Sequence, residues 1–350
     1  MKKLKMGVLG LGGISSGHTN TYINNPNTEL YAVCDISGSW LKYRADQLNV
    51  SHAYTDYREL LENPEIDAVS VCLPNKYHAD ASICALNAGK HVLCEKPMAL
   101  NAGEAEAMLE ASVKNNKKLM VSQNDRFTLP VQLMRKKMEE GFFGDIYFAR
   151  IGCRRKLGIM PEQDAVRENG EHYSRNWFNE KAMGGGVLRD LGSHHIDSFM
   201  YINGFVPNLV SADASCYRKF YVPGYDGSYV CDSEDLATAH LKFDTGLTVH
   251  LEESFGCMIE NHVVLFELYG TKGGASFRGG DFNVMTLTKD AGGVCESEKI
   301  EKYDFTSKSP QERFIDALVN DTEVPVNPEH SVKVIKILDA IYKSAGEVKK

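Results

Sequence analysis

The feature that most limits what this chain can become is a short apolar run, residues 4–9, that stops at Gly10-Leu-Gly12-Gly13-Ile14-Ser15 and gives way to a helix-like stretch ending near Asn24. A strand that turns on glycines into a helix leaves the first helical N–H groups free, with the partial positive charge of a helix N-terminus behind them. Gly10 permits the tight turn, Gly12 lets backbone approach a pyrophosphate, and Ser15 is small enough to keep helix and strand close. Asp35 follows twenty residues after Ser15, at the end of the strand-like run 29–35. A carboxylate there accepts from both hydroxyls of an adenosine ribose and repels a 2′-phosphate. No arginine stands in the next four positions to meet such a phosphate. The pattern predicts a dinucleotide site that takes NAD in preference to NADP.

The first third continues the alternation. Strand-like runs at 52–54, 66–73, 91–94 and 118–122 are separated by helical stretches at 39–49, 57–62, 76–88 and 101–115. Asp56 is placed to cap one of these helices and Gly89 to stop another. Strands separated by helices mean crossover connections and a parallel sheet. After residue 123 the texture changes to long alternating segments at 145–156, 209–220, 236–243, 247–255, 262–269 and 283–289, joined by turns, with two closing helices near 309–319 and 329–346. The fold expected is α/β: a doubly wound parallel sheet over 1–123 and a second α/β domain over 124–350 with a large, mainly antiparallel sheet. The length of 350 residues suits two domains. A net charge of −8 argues against non-specific nucleic-acid binding, which needs a positive surface. No apolar run approaches the ~20 residues that span a bilayer, so no membrane partner is expected. Glycines interrupt the apolar stretch near the N-terminus, so no signal peptide is expected either. Nine cysteines without a CxxC pair suggest reduced thiols, a cytoplasmic location and no metal site.

Two further clusters carry chemistry. Cys94-Glu95-Lys96-Pro97 ends a strand of the parallel sheet, where ligands of such sheets bind. Pro97 keeps Lys96 out of the helical basin, and a lysine held there can stabilise an oxyanion as a proton leaves. The second cluster is Gly184-Gly-Gly186-Val-Leu-Arg-Asp190-Leu-Gly-Ser-His194-His195-Ile-Asp197, which opens a helix expected over 187–203. At about 100° per residue, Asp190, His194, Asp197 and Tyr201 share one face, so His194 is flanked by carboxylates that can stabilise its protonated form. His195 falls on the apolar side with Leu188, Leu191, Phe199 and Ile202, as a packed residue.

In this order the three clusters resemble the glucose–fructose oxidoreductase/inositol dehydrogenase (Gfo/Idh/MocA) family, over essentially the whole chain. Leu73-Pro74-Asn75 with His78, residues 88–97, and Glu267-Leu-Tyr-Gly-Thr-Lys-Gly273 add to the likeness. The resemblance implies a Rossmann domain and a second domain whose open sheet face makes a homodimer or homotetramer. It implies catalytic roles for Lys96, Asp190 and His194, and a cis bond before Pro97. It places Gly10, Gly12, Gly13, Ile14, Ser15, Asp35, Leu73, Pro74, Asn75, His78, Glu95, Lys96 and Gln123 along the cofactor, and returns the helix from 329 toward the first domain. The implied reaction is oxidation of a secondary alcohol of a sugar, cyclitol or sugar derivative, with Glu95 either holding Lys96 or touching the cofactor.

Residues 153–180 lead into the catalytic helix and form a natural substrate wall. Tyr173 and Trp177 can stack on a sugar ring, while Arg154, Arg155 and Lys156 can meet a phosphate or carboxylate; Met160, Pro161, His172, Arg175 and Asn176 lie in the same stretch. Arg126, Asp190 and His194 are further substrate candidates. Three alternatives stay open: an enzyme that oxidises glycosides at C3, a glycoside-cleaving enzyme that retains its NAD, and a regulator that binds NAD without catalysis.

Overall fold

The computed structural model describes residues 3–156, 164–174, 176–218, 232–279, 284–301 and 307–349. Six strands, β1 (Leu4–Leu9), β2 (Thr28–Cys34), β3 (His52–Tyr54), β4 (Ala68–Val71), β5 (His91–Cys94) and β6 (Leu119–Val121), pair in parallel in the order β3-β2-β1-β4-β5-β6. The helices α1 (Ser15–Asn24), α2 (Gly38–Leu48), α3 (Tyr57–Glu62), α4 (His78–Asn87) and α5 (Ala102–Lys114) connect them. Strand order reverses between β1 and β4, which opens a crevice beyond their C-terminal ends. Every residue of β4 is buried, as in a strand covered on both faces. Asp56 caps α3 by accepting from Arg58 N at 2.9 Å.

The second unit follows α6 (Leu129–Glu139), a helix that the sequence pattern did not single out. Its strands are β7 (Ile146–Lys156), the hairpin β8 (Asp164–Val166) and β9 (His172–Ser174), then β10 (Leu209–Tyr217), β11 (Leu236–Phe243), β12 (Thr248–Cys257), β13 (Val263–Gly270), β14 (Gly273–Gly279), β15 (Val284–Asp290) and β16 (Cys295–Glu301). Eight of them pair in the order β10-β11-β12-β7-β13-β14-β15-β16, all antiparallel except β12 with β7. The sheet is thus mainly antiparallel, as its alternating sequence requires. β16 (Cys-Glu-Ser-Glu-Lys-Ile-Glu) escapes sequence reading because it is an exposed edge with no apolar alternation.

α7 (Ser193–Ile202) packs against α6, α9 and β7, with Ile196, Phe199 and Ile202 buried. The last helices are α8 (Pro310–Val319), whose Ser309 and Glu312 make a reciprocal capping box, and α9 (Pro328–Ala345). α9 reaches back to the parallel-sheet unit: Asp339 accepts from Ala102 N at 2.7 Å and Lys336 pairs with Glu106 at 2.7 Å. Among the described residues no helix is long and apolar enough to cross a membrane.

Candidate active site

The glycine turn is shaped from beneath and open above. Gly10 has φ +91°, and a Cβ on it would lie 2.5 Å from Cys72 O, so the turn needs glycine twice over. A Cβ at Gly12 or Gly13 would meet nothing within 4 Å, and Ile14 beside them is 56% exposed. Asp35 organises the far side: its Oδ2 accepts from Leu11 N at 2.9 Å and its Oδ1 from Ser37 N at 3.0 Å. Each carboxylate oxygen still has a lone pair for a ribose hydroxyl. Gln123, at the end of the parallel sheet, has a buried Oε1 with no hydrogen-bond partner among the described residues. An open cradle, an acidic ribose partner and an orphaned amide oxygen fit an extended dinucleotide.

Residues expected along the cofactor divide into two sets. Glu95 is buried, and its carboxylate meets His18 Nε2 at 2.8 Å, not Lys96. His18 Nδ1 meets Ser70 Oγ at 2.8 Å, which also meets Tyr22 Oη at 2.5 Å. This buried chain joins α1, β4 and the end of β5. Burial disfavours the Glu95 carboxylate, but His18, Ser122 and Lys96 together outweigh that and keep its pKa below the ordinary value. The network went unseen in the sequence; its signal is a histidine three residues after Ser15, one turn into α1. His78 faces backbone, not a cleft: its two ring nitrogens each lie 2.8 Å from a carbonyl, of Pro97 and of Leu73. It braces the bend around the Lys96–Pro97 bond, which is cis. Asn75 Nδ2 donates to Gly184 O at 2.9 Å and ties the two units together.

Lys96 and Asp190 meet across the cleft. Lys96 Nζ lies 2.7 Å from Asp190 Oδ1 and 3.1 Å from Asp190 O, with both side chains partly open to solvent. Burial works against the Asp190 charge, yet the Lys96 ammonium holds the carboxyl below its usual pKa. His194 is close enough to feel both charges, and burial pushes its pKa below the ordinary histidine value despite Asp125. Its Nδ1 stands 3.7 Å from Asp125 Oδ2 and makes no hydrogen bond among the described residues. The three groups expected to carry chemistry are therefore neighbours, with a neutral imidazole favoured.

The helix that carries two of them differs from expectation. Leu188–Gly192 is a π-turn, and Ser193 N–H reaches Leu188 O, five residues back. One extra residue in a turn rotates the residues before it by about 100° relative to those after it. Asp197 therefore does not flank His194, while the Asp190 charge still acts on it. Asp197 is fully buried and takes the guanidinium of Arg126, with Nε to Oδ2 at 2.9 Å and Nη2 to Oδ1 as the second bond. This corrects the reading of Arg126 as a substrate residue: at 1% exposure it is a structural counter-ion. The carboxylate nearest His194 comes instead from Asp125, a residue sequence reasoning did not select. His195 is packed, with Nδ1 2.6 Å from the buried Glu253.

Strand parity sorts the basic run. Ala149, Ile151 and Cys153 of β7 are buried beneath the helices, and Cys153 N donates to Glu253 Oε2 at 3.1 Å. Arg154 points to the other face, where it pairs with Glu252 at 3.7 Å, so it does not wall the cleft. Lys156 shares that parity and is exposed. Arg155 has the inward parity, lies over Phe255 at 5.9 Å, and its charge acts on Asp190, Glu253 and His195. Tyr173 stands with Arg167, whose guanidinium lies 4.8 Å from its ring and 4.9 Å from the Trp40 ring, on the Asp35 side of the molecule. Trp177 stacks on Phe178 at 3.7 Å. Met160, Pro161 and Arg175 lie outside the described residues, as do the side chains of His172 and Asn176.

Residues 4–123 match the model of the oxidoreductase family with an NAD-binding Rossmann fold, and residues 131–276 match the C-terminal domain of the same GFO/IDH/MocA group. The chain is 27% identical to D-glucoside 3-dehydrogenase of Escherichia coli, over 98% of this chain and 95% of that protein. It is 28% identical to myo-inositol 2-dehydrogenase of Thermotoga maritima, over 77% and 74%. The fold is shared with levoglucosan dehydrogenase in complex with NADH, at a TM-score of 0.82 and 22% identity over 98% and 97% of the two chains.

Proposed function

The chain belongs to the Gfo/Idh/MocA family of oxidoreductases, with its NAD-binding Rossmann domain, and from that premise we propose that it oxidises a secondary alcohol of a sugar, cyclitol or sugar derivative, using NAD rather than NADP. The observation that carries the reading is the contact of Lys96 Nζ with Asp190 Oδ1 at 2.7 Å beside His194. It lies where β5 ends, on the same side of the sheet as the glycine turn.

The nicotinamide, when bound, supplies the hydride acceptor. Gly10, Gly12, Gly13 and the N-terminus of α1 receive the pyrophosphate, Asp35 the adenosine ribose, and Gln123 Oε1 a donor of the cofactor. Lys96 donates to the alcohol oxygen and stabilises the negative charge that develops as its proton leaves. His194, whose neutral form is favoured, takes that proton, and Asp125 at 3.7 Å stabilises the resulting imidazolium. Asp190 holds the lysine in position. Arg155 and Trp177 form the substrate wall. The open sheet face, with Tyr147 56% and Tyr269 38% exposed, is the surface through which copies associate, and the protein works in the cytoplasm.

A second reading narrows the substrate: the match to D-glucoside 3-dehydrogenase along nearly all of both chains favours C3 of a glucoside as the carbon oxidised, with the 3-keto product released. The test is NADH formation across aldoses, inositols and glucosides. Accumulation of NADH with substrate supports the dehydrogenase; a silent panel with firmly held NAD supports the glycoside-cleaving alternative. Changing Lys96 to Met lowers kcat by about 100-fold or more, while NAD affinity changes little; retained turnover refutes the assignment.

A further inference from the structure

The β8–β9 hairpin belongs in sequence to the second unit, yet it lies on the first. Glu171, which follows its turn, accepts from Ser37 Oγ at 2.8 Å to each carboxylate oxygen and from Ser39 Oγ at 2.6 Å. Ser37 is the N-cap of α2, and its N–H is the one that Asp35 Oδ1 receives. Arg167, on the other side of the turn, is 3.2 Å from Glu171 and is sandwiched between Trp40 and Tyr173. Glu168 Oε2 adds a further tie, accepting from Tyr43 Oη at 3.2 Å and Gln47 Nε2 at 3.3 Å.

We propose that Glu171 occupies the position that a 2′-phosphate on the adenosine ribose would need, and so sets the preference for NAD over NADP. The proposal rests on the reading of the glycine turn and Asp35 as the adenosine half of the cofactor site. Past an acidic residue at the end of the second strand, the next groups a ribose phosphate meets are those at the start of the following helix. Here that edge offers two hydroxyls and a guanidinium, a donor set suited to phosphate. All three are taken by a carboxylate of the protein itself, which also repels a second anion. No arginine stands within four positions after Asp35, but Arg167 reaches this place from the other unit, already neutralised by Glu171.

The test measures NAD+ and NADP+ dissociation constants of the whole protein by calorimetry, for wild type, Glu171→Gln, Glu171→Ala and the Arg167→Ala/Glu171→Ala pair. Wild type is expected to favour NAD+. Both single variants are expected to narrow the ratio by about tenfold. Glu171→Gln keeps the volume and removes only the charge. The double variant, without the guanidinium, is expected to lose the gain. A wild-type ratio near one, or single variants that bind NAD+ with an unmoved ratio, overturns the proposal. So does a gain that persists without Arg167. If wild type binds neither dinucleotide, it is the underlying cofactor reading that fails.

Discussion

Asp190 and Asp197 lie seven residues apart on one helical run, and each faces a cation from elsewhere in the chain. Asp190 meets Lys96 in a cleft with about a fifth of each side chain exposed, whereas Asp197 meets Arg126 at 1% exposure on both sides. The π-turn at Leu188–Gly192 separates them. It turns the first carboxylate toward the strand end that carries Lys96 and leaves the second facing Arg126, packed near Tyr201 and Phe205. The first pair stays reachable by a substrate hydroxyl. The second is closed to anything but its partner. A charged pair near a cleft can serve reaction chemistry; the same pair sealed in the interior can only serve architecture, because desolvation makes each partner depend on the other.

The largest effect expected from testing this contrast is on turnover. His194→Asn should lower kcat/KM by roughly 10²- to 10⁴-fold, with NADH affinity, followed by fluorescence titration, nearly unchanged. If turnover persists, the reactive side of the comparison is wrong. Next is the sealed side: Asp197→Ala should destabilise by about 3–5 kcal/mol, since it strands a buried guanidinium, read from urea unfolding midpoints. Arg126→Met should also shift the midpoint, with KM of the folded enzyme unmoved; a normal midpoint with a raised KM would put Arg126 back against the substrate.

The pH profile sharpens the comparison further. Because the reaction needs neutral His194 and burial lowers its pKa, activity is retained as pH falls past the ordinary histidine value of about 6.5 and declines only below it. An acid limb at higher pH would mean that the carboxylates around His194 outweigh its burial, as flanking by both Asp190 and Asp197 on a continuous α-helix predicts. The smallest effect is expected at Arg154, whose pair with Glu252 lies outside the cleft: Arg154→Gln should change stability by less than about 1 kcal/mol and leave KM alone. Arg155→Gln, one residue on, should raise KM. Equal behaviour of the two variants would break the parity argument.

Much of this was legible in the chain. The glycine turn, Asp35 and the alternation of strands and helices led to the parallel sheet because each is a local pattern with one economical backbone solution. Lys96, Asp190 and His194 stood out through short motifs and the family resemblance, and the structure sets Lys96 against Asp190. The π-turn was not, because a helical wheel assumes one periodicity and nothing in Leu-Arg-Asp-Leu-Gly announces an extra residue. His18 with Glu95, Arg126 with Asp197 and Glu171 with Ser37 were not either, being separated by 77, 71 and 134 positions. Arg154 and Arg155 were written together as one basic run, although adjacent strand residues face opposite ways.

What the sequence settled by itself is the backbone framework and the kinds of groups at the strand ends, since turns, caps and apolar periodicity act over a few residues. The tertiary structure decided which charge meets which. Lys96 could have met Glu95 beside it; instead Glu95 turns inward to His18 and Lys96 crosses to Asp190. A side chain's role depends on burial and on a partner brought in across the fold, and neither is encoded in its neighbours along the chain.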